Sequence, residues 1–225
     1  MDISLFFHKR RQEVKQKSSK RFDAWSIKYD RSILQFLVFR RSHEVFFDNI
    51  MRDDAAHKML DLGCGTGEFL IKLKKHKKDS GIFGIDISGD MINAAKAKAK
   101  SSDADVDFRV GDVEHLPYDD NSFDYVTCAH SFHHYPHKKR AMREMFRVLK
   151  NNGKLMIIDG YKDNILGKFI FDFIIKKHEV HVHHLHSGQF RRLLTNVGFR
   201  NIVQATFNPI IPLLLTKGVA IKEAG

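Results

Sequence analysis

Apolar runs of strand length alternate with helical patterns from Met59 onward. Five such runs predict strands over Lys58–Leu62, Gly81–Asp86, Val106–Val110, Phe123–Ala129 and Lys154–Asp159. Between the last two runs, apolar residues recur at i, i+3, i+4 and i+7 from Met142 to Leu149, which gives a helix one apolar face. This alternation predicts an α/β fold with a mostly parallel sheet and helices on both faces.

The C-terminal part follows a different order. A helix with the same apolar spacing is predicted after Ser187, its N-cap, and before Gly198, where the backbone stops it. Two apolar runs, Asn201–Phe207 and Leu213–Ile221, then follow with no helix between them. Because consecutive strands without a crossover pair antiparallel, they predict a hairpin at one sheet edge.

The first 50 residues differ from the rest. They are basic at first and then apolar, with helical propensity, so residues 1–50 are expected to form an N-terminal helical extension or lid. Residues 51–225 are expected to form the sheet domain, with an insert over about residues 161–186 after the fifth strand.

Composition limits the class of protein. The chain has 225 residues, 43% of them hydrophobic, which is too apolar for a disordered chain. Its two cysteines, Cys64 and Cys128, exclude a disulfide framework and fit a reducing, cytoplasmic interior. No apolar run reaches the roughly 18 residues of a membrane-spanning helix, so we expect a soluble protein without an export signal. The net charge of +11 suits nucleic acid, an anionic membrane or an acidic small substrate, and does not choose among them.

The first predicted strand ends in a glycine-rich turn, MLDLGCGTGEF over residues 59–69. Gly63, Gly65 and Gly67 let the backbone turn sharply and let a ligand approach main-chain N–H groups. The dinucleotide fingerprint GxGxxG would need glycine at Glu68, where a carboxylate is unfavourable beside a pyrophosphate. The turn therefore predicts an adenosine ligand without a pyrophosphate.

Two carboxylates follow at the ends of the next strands. Asp86 lies about 20 residues beyond the glycines, where it can accept hydrogen bonds from both ribose hydroxyls. Asp112, after the third strand, can accept from an adenine amino group. The three motifs, in this order along the chain, predict one nucleoside site.

These motifs resemble the class I S-adenosylmethionine-dependent methyltransferases, and within them the ubiquinone and menaquinone biosynthesis branch. The resemblance runs through FDAWSIKYD (22–30), LDLGCGTG (60–67), GIDIS (84–88), VGDVEHLPYDDNSFDYV (110–126) and MREMFRVLKNNGKLMIID (142–159). It implies a Rossmann-like seven-stranded sheet whose last strand is antiparallel. It also implies S-adenosyl-L-methionine as cofactor, S-adenosyl-L-homocysteine as product, and a small or lipophilic methyl acceptor roofed by the insert.

The resemblance also assigns cofactor-binding residues. It places Asp61 and the Gly63–Gly67 loop at the methionine part, Ala129 and His130 beside the sulfonium, and Tyr29 over the cofactor. The full expected set is Tyr29, Asp61, Gly63, Cys64, Gly65, Gly67, Asp86, Ile87, Met91, Asp112, Val113, Ala129 and His130.

Histidines supply the candidate catalytic groups. His133 and His134, in SFHHY after the fourth strand, are the candidate general bases for an acceptor that must lose a proton; the alternative is that they pack or cap the turn. A denser run, HEVHVHHLH, contains His178, His181, His183, His184 and His186. It is open to three interpretations, namely metal ligands, a substrate lining or a packed lid. Because no carboxylate or cysteine cluster lies nearby in sequence, no metal site is expected.

The acceptor itself stays open. Lys138, Lys139 and Arg140 start a helix, where the dipole disfavours cations, so they predict a positive entrance for an anionic acceptor or a membrane surface. The chain lacks the Asn/Asp-Pro-Pro-Tyr motif of many amine-directed nucleic-acid enzymes, which argues against nucleic acid. The alternatives are an RNA or protein methyltransferase and a non-catalytic S-adenosylmethionine-binding protein. The sequence does not determine the oligomeric state.

Overall fold

The computed structural model describes residues 33–53, 57–175, 182–208 and 210–222. Tyr29, His178, His181 and the basic N-terminal cluster lie outside the described residues, as do the side chains of residues 33–37 and 173–175.

A single sheet of seven strands organises the described chain. The strands are β1 (Lys58–Leu62), β2 (Gly81–Asp86), β3 (Asp107–Val110), β4 (Phe123–Ala129), β5 (Leu149–Gly160), β6 (Phe199–Phe207) and β7 (Leu213–Ala220). Their order is β3-β2-β1-β4-β5-β7-β6. The pairs among β1 to β5 are parallel, whereas β7 is antiparallel to both β5 and β6. The predicted fold and the C-terminal hairpin are therefore confirmed.

The fifth strand is longer than the sequence pattern predicts. It begins at Leu149, which the apolar spacing assigned to the preceding helix, and ends at Gly160. Leu149 pairs with Phe123 of β4, and Lys154 then pairs with Tyr125, with a register irregularity between them. Asn152 has a positive φ of 63°. Residues 151–153, where a turn was expected, are thus part of an irregular strand. The spacing of apolar residues does not predict this.

Six α-helices cover the described sheet. They are α1 (Ile33–Met51), α2 (Glu68–His76), α3 (Gly89–Ser101), α4 (Lys138–Val148), α5 (Ile165–Phe169) and α6 (Ser187–Val197). A 3-10 turn spans Phe132–His134, and a π-helical segment over Ile170–Ile175 follows α5.

The ends of α6 follow the prediction at one terminus only. Gly198 ends the helix with a φ of 123°, as expected. The N-cap, however, is His186 and not Ser187. The His186 N–H donates to Oε1 of Gln189 in a capping box, while the Ser187 hydroxyl donates to Asp163. The Asp163 carboxylate takes Ser187 out of the capping role, and this partner lies 24 residues away in sequence.

Two apolar cores lie on opposite faces of the sheet. Helices α1, α2 and α3 bury Phe46, Leu70 and Ile92 on one face. Helices α4 and α6 bury Met142 and Phe190 on the other. In open α/β sheets, ligands bind outside the carboxyl ends of the parallel strands. Within the described part of the chain, no helix has the length and apolar character needed to cross a membrane.

Candidate active site

The glycine-rich loop after β1 is tied to the end of β2 by backbone hydrogen bonds. The N–H groups of Gly63 and Cys64 donate to the carbonyl oxygen of Ile85, at 2.8 and 3.1 Å. Gly63 and Gly65 have positive φ values of 70° and 53°, a region that side chains with a Cβ disfavour. An added Cβ on Gly65 would meet nothing within 4 Å, so this backbone faces open space.

Gly67 serves a different purpose from the one expected of it. A Cβ here would collide with the ring of Phe108 and lie 3.0 Å from Ala95. Gly67 therefore allows α2 and α3 to pack closely against the sheet, and it lines neither of the two cavities described next. Of the three glycines predicted to contact the ligand, Gly63 and Gly65 line the cavities and Gly67 does not.

Two cavities meet at this loop. One, of about 790 Å³, is lined by Asp86, Ile87, Met91, Asp112, Val113 and His134 among others. The other, of about 650 Å³, is lined by Phe39, His43, Asp61, Cys64, Thr66 and Glu68 among others. They share Gly63, Gly65 and Ala129. The shared residues place the two cavities side by side at the carboxyl ends of β1, β2 and β4, and the pair is called the elongated groove below.

Asp86 and Asp112 stand at the larger cavity, as predicted. The Asp86 carboxylate accepts hydrogen bonds from the N–H groups of Gly65 and Ser88, both at 2.9 Å. Asp112 accepts from the N–H of Glu114 at 2.9 Å. A carboxylate offers about four acceptor positions, so Asp86 retains capacity for a ligand hydroxyl while it holds the loop.

Asp61 is a buried acid at the smaller cavity. Its carboxyl accepts a hydrogen bond from the Thr127 hydroxyl at 2.6 Å. Burial, with a smaller contribution from the charge of Asp86, raises the pKa of Asp61 to about 7. Among the described residues no cation forms an ion pair with it, so a cationic ligand group at this position would stabilise the ionised carboxylate.

Helix α1 supplies cavity residues that the sequence motifs did not indicate. Phe39 and His43 line the smaller cavity, and the Phe39 ring packs edge-on against His130 at 4.6 Å between centroids. The Ser42 hydroxyl lies 2.7 Å from Nε2 of His130. Burial lowers the pKa of His130 to about 3 and that of His43 to about 4, so both imidazoles are neutral near pH 7. In the sequence, the contact of α1 with His130 is indicated only by polar residues, Ser42 and His43 among them, that interrupt an apolar helix.

The two candidate bases occupy different positions. His134 lines the larger cavity, whereas His133 is buried behind it with its ring centroid 4.1 Å from that of His134. Nδ1 of His133 lies 2.6 Å from Oδ1 of Asp159, at the end of β5. Asp159 is a residue that the sequence motifs did not single out, since it is 26 positions from His133.

The basic residues at the start of α4 have structural partners. Lys138 donates from Nζ to the carbonyl oxygens of His133 and Tyr135, at 3.1 and 3.0 Å. Arg140 donates to the carbonyl oxygen of Glu114 at 3.2 Å. Lys138 and Arg140 therefore hold the loops that form the cavity wall. Lys139 is exposed and makes no such hydrogen bond to the described residues.

Fold and site together define a class. A mostly parallel seven-stranded sheet with one antiparallel strand carries a glycine-rich loop and a strand-end carboxylate on each side of an elongated groove. That arrangement is typical of nucleoside-binding α/β enzymes.

Comparison with known proteins identifies the family. Residues 53–198 match the family model of a methyltransferase domain. The chain is 34% identical over 193 residues to a demethylmenaquinone methyltransferase of Thermotoga maritima, covering 82% of each chain. It is 33% identical over 119 residues to an uncharacterized methyltransferase of Bacillus subtilis, covering 52% of this chain and about half, 46%, of that relative. The chain belongs to the class I S-adenosylmethionine-dependent methyltransferases.

A solved structure shows the same fold. The magnesium protoporphyrin IX methyltransferase of Synechocystis PCC 6803, with bound S-adenosylhomocysteine, superposes with a TM-score of 0.76 at 15% identity. The superposition covers 91% of this chain and 99% of that one.

Proposed function

We propose that this chain binds S-adenosyl-L-methionine in the elongated groove and transfers its methyl group to a small, lipophilic acceptor, releasing S-adenosyl-L-homocysteine. The observation that carries this proposal is that two adjacent cavities share Gly63, Gly65 and Ala129 as lining residues. One cavity has carboxylates suited to an adenosine, and the other has a buried acid suited to a cation. An extended ligand with those two ends fits both.

Individual residues are proposed to hold the parts of the cofactor. Asp86 accepts the ribose hydroxyls, and Asp112 with Val113 faces the adenine. Asp61 compensates the positive charge of the methionine part, since its buried carboxyl has no described cationic partner. The bound cofactor supplies a methyl group on a sulfonium, whose departure needs no protonation.

The remaining assignments complete the proposed cofactor site. Ile87 and Met91 form the apolar wall beside the ribose, and Cys64 lines the methionine end. Ala129 and His130 border the centre of the groove. Tyr29 remains proposed as the residue that closes over the cofactor.

The chain contributes alignment and exclusion of water. In-line transfer requires the acceptor atom to approach the methyl group within a dry, oriented site, and such orientation supplies several kcal/mol of rate enhancement, on the order of 7 kcal/mol in good cases. Phe39 and the neutral His130 imidazole present an uncharged surface at the groove centre. We infer that helix α1 acts as a lid over this centre.

His134 is the proposed base for an acceptor that must lose a proton, because it lines the cavity. His133 stands behind it and is proposed to act on the same proton or to orient His134, held in turn by Asp159. His134→Gln is expected to lower kcat by about 100-fold, the usual scale of general-base catalysis, with little change in cofactor affinity. An unchanged kcat would contradict the assignment of His134 as the base.

The acceptor class rests on relatives and on an exposed apolar surface. The relatives named above act on a demethylmenaquinone and on a magnesium protoporphyrin, both lipophilic. In this chain Ile165 and Phe169 of α5 are 89% and 57% exposed, and Lys168 between them is also exposed. An exposed apolar surface that carries a lysine is suited to an anionic membrane surface from which such an acceptor is taken.

The test is a transfer assay with labelled S-adenosyl-L-methionine. The full chain is incubated with whole-cell small-molecule and lipid extracts, and the labelled product is identified by mass. Label is expected in the lipid fraction, and the Asp86→Ala variant should transfer little of it. Parallel reactions contain whole-cell RNA or whole-cell protein, and label in either of these would replace the proposed acceptor class. Tight S-adenosyl-L-homocysteine binding without transfer in any reaction would indicate a non-catalytic binding protein.

A further inference from the structure

Three side chains that are distant in sequence converge beneath the acceptor side of the groove. His133 comes from the 3-10 turn after β4, Asp159 from the end of β5, and His184 from the segment that returns from the insert. Nδ1 of His133 lies 2.6 Å from Oδ1 of Asp159, and Nδ1 of His184 lies 3.1 Å from the same oxygen. The donor atoms of the three residues all lie within 4.8 Å of one another.

This cluster is buried and incompletely satisfied. The side chains of His133, Asp159 and His184 are 8%, 1% and 4% exposed. Oδ2 of Asp159 and Nε2 of His184 have no hydrogen-bond partner among the described atoms. A buried polar atom without a partner costs roughly 1–3 kcal/mol, so two of them in one cluster indicate a group that the protein atoms do not supply.

The surrounding cations do not neutralise the carboxylate. Lys138 donates to the backbone carbonyl oxygens of His133 and Tyr135, and Lys162 pairs with Asp172 at 3.0 Å. Within the part of the chain that the structure describes, no lysine or arginine makes an ion pair with Asp159. The Phe171 ring closes the cluster from the insert side, 4.5 Å from the His184 ring. A buried carboxylate in such a setting calls for a cation.

We propose that His133, Asp159 and His184 bind a divalent transition-metal ion. Two imidazole nitrogens and one carboxylate are the donor set of mononuclear zinc and non-haem iron(II) sites, which leave further coordination positions open. The carboxylate would bind through Oδ2, which is unpartnered, or by sharing Oδ1 between the ion and the imidazoles. This inference shares His133 and Asp159 with the proposed positioning of His134, but it does not depend on methyl transfer, because its test measures metal binding alone.

The proposal departs from the expectation drawn from the sequence, and the reason is positional. The histidine run contains one carboxylate, Glu179, and no carboxylate cluster, but His184 reaches Asp159, which lies 25 residues away in sequence. Its neighbour His186 instead pairs with Asp163 near the surface, at 2.7 Å. The fold therefore gives two histidines of the run different partners. His184 joins the buried cluster with His133 and Asp159, whereas His186 forms an exposed pair with Asp163.

The ion would also join the insert to the sheet. The N–H of His183 already donates to the carbonyl oxygen of His133 at 3.2 Å, so the returning segment lies against the turn that carries the first ligand. Because the three ligands come together only in the folded chain, the ion would bind the folded state and stabilise it.

The experiment measures zinc binding directly. The full chain is stripped with a chelator, dialysed against Zn²⁺ alone, and its metal content and affinity are determined by mass spectrometry and calorimetry. We expect a single zinc ion per chain in the unaltered protein. Asp159→Asn and His184→Gln are each expected to weaken binding by at least about tenfold. The matched control, His186→Gln, removes an exposed histidine from the same run and should bind zinc as the unaltered chain does.

A second measurement does not depend on whether a core variant folds. Zn²⁺ is expected to raise the Tm of the unaltered chain, and Co²⁺ in its place should give the absorption of a nitrogen and oxygen site without thiolate bands. Absence of retained zinc in the unaltered chain would overturn the proposal. So would an undiminished zinc affinity in folded His184→Gln, or a loss of zinc binding in His186→Gln, because the metal would then lie at the exposed run.

Discussion

Asp86 holds the loop and the proposed ribose with the same carboxylate, so its replacement tests both. In the free protein its two oxygens accept from the N–H groups of Gly65 and Ser88, each at 2.9 Å, and the residue is 9% exposed. Hydrogen bonds to a charged group contribute about 1.5–3 kcal/mol. Asp86→Ala is therefore expected to weaken cofactor binding by that amount, which is roughly 10-fold to 100-fold in Kd. Asp86→Asn keeps a neutral acceptor and should lose less.

The assay is calorimetric titration with S-adenosyl-L-homocysteine, accompanied by thermal unfolding. Ser88→Ala is the matched control: it removes the hydroxyl that accepts from the Met91 N–H at 3.1 Å and caps α3, at a cost of about 1 kcal/mol in stability. It leaves the Asp86 carboxylate in place, so affinity should be nearly unchanged. An Asp86→Ala affinity within twofold of the unaltered chain, or an equal loss in Ser88→Ala, would refute the ribose assignment.

Three further predictions concern the loop, a buried acid and the core. Gly63→Ala should destabilise the chain and abolish cofactor binding, because the new Cβ would lie 2.5 Å from Oγ of Ser131 at a φ of 70°; thermal unfolding and calorimetry check this. The pKa of Asp61 is raised to about 7 in the folded chain, above its unfolded value of about 3.9. Between these values the folded chain keeps a proton that the unfolded chain loses, so the free energy of unfolding falls as the pH rises from 4 to 7. Urea unfolding between pH 5 and 7 should show this decline, on the order of 1 kcal/mol per pH unit, and Asp61→Asn should reduce it; equal slopes in both proteins would contradict the raised pKa. Phe190→Ala, at a side chain only 1% exposed, should lower the free energy of unfolding by about 3–5 kcal/mol, measured in the same way.

The pattern of apolar runs predicted most of the fold, because each buried parallel strand is a short apolar run in the sequence. β1, β2 and β4 have the predicted bounds, and the hairpin of β6 and β7 lies where the two adjacent runs placed it. The pattern failed at Leu149, where a helix passes directly into a strand without a breaker residue. It also misplaced the N-cap of α6, because the capping choice depends on Asp163, which is distant in sequence.

Some residues of the candidate site were predictable from local sequence motifs, and others were not. The larger cavity, proposed for the adenosine, was predictable, since Gly63, Gly65, Asp86 and Asp112 belong to motifs at successive strand ends, and all of them line it. The smaller cavity, proposed for the methionine part, was only partly predictable. Phe39 and His43 on α1 face it, and nothing local in their helix distinguishes them from ordinary buried residues.

By itself, the sequence determined the α/β class, the individual strands and the C-terminal hairpin, the glycine-rich loop and the family. Each of these depends on residues that are close together along the chain. Only the tertiary structure shows which histidine faces the groove and why Gly67 must be glycine. It alone also brings His133 and His184 into contact with Asp159, which lies 26 and 25 residues away from them in sequence. The physical reason is that burial and partner distance set the chemistry of a titratable side chain, and both are properties of the packed sheet and its loops.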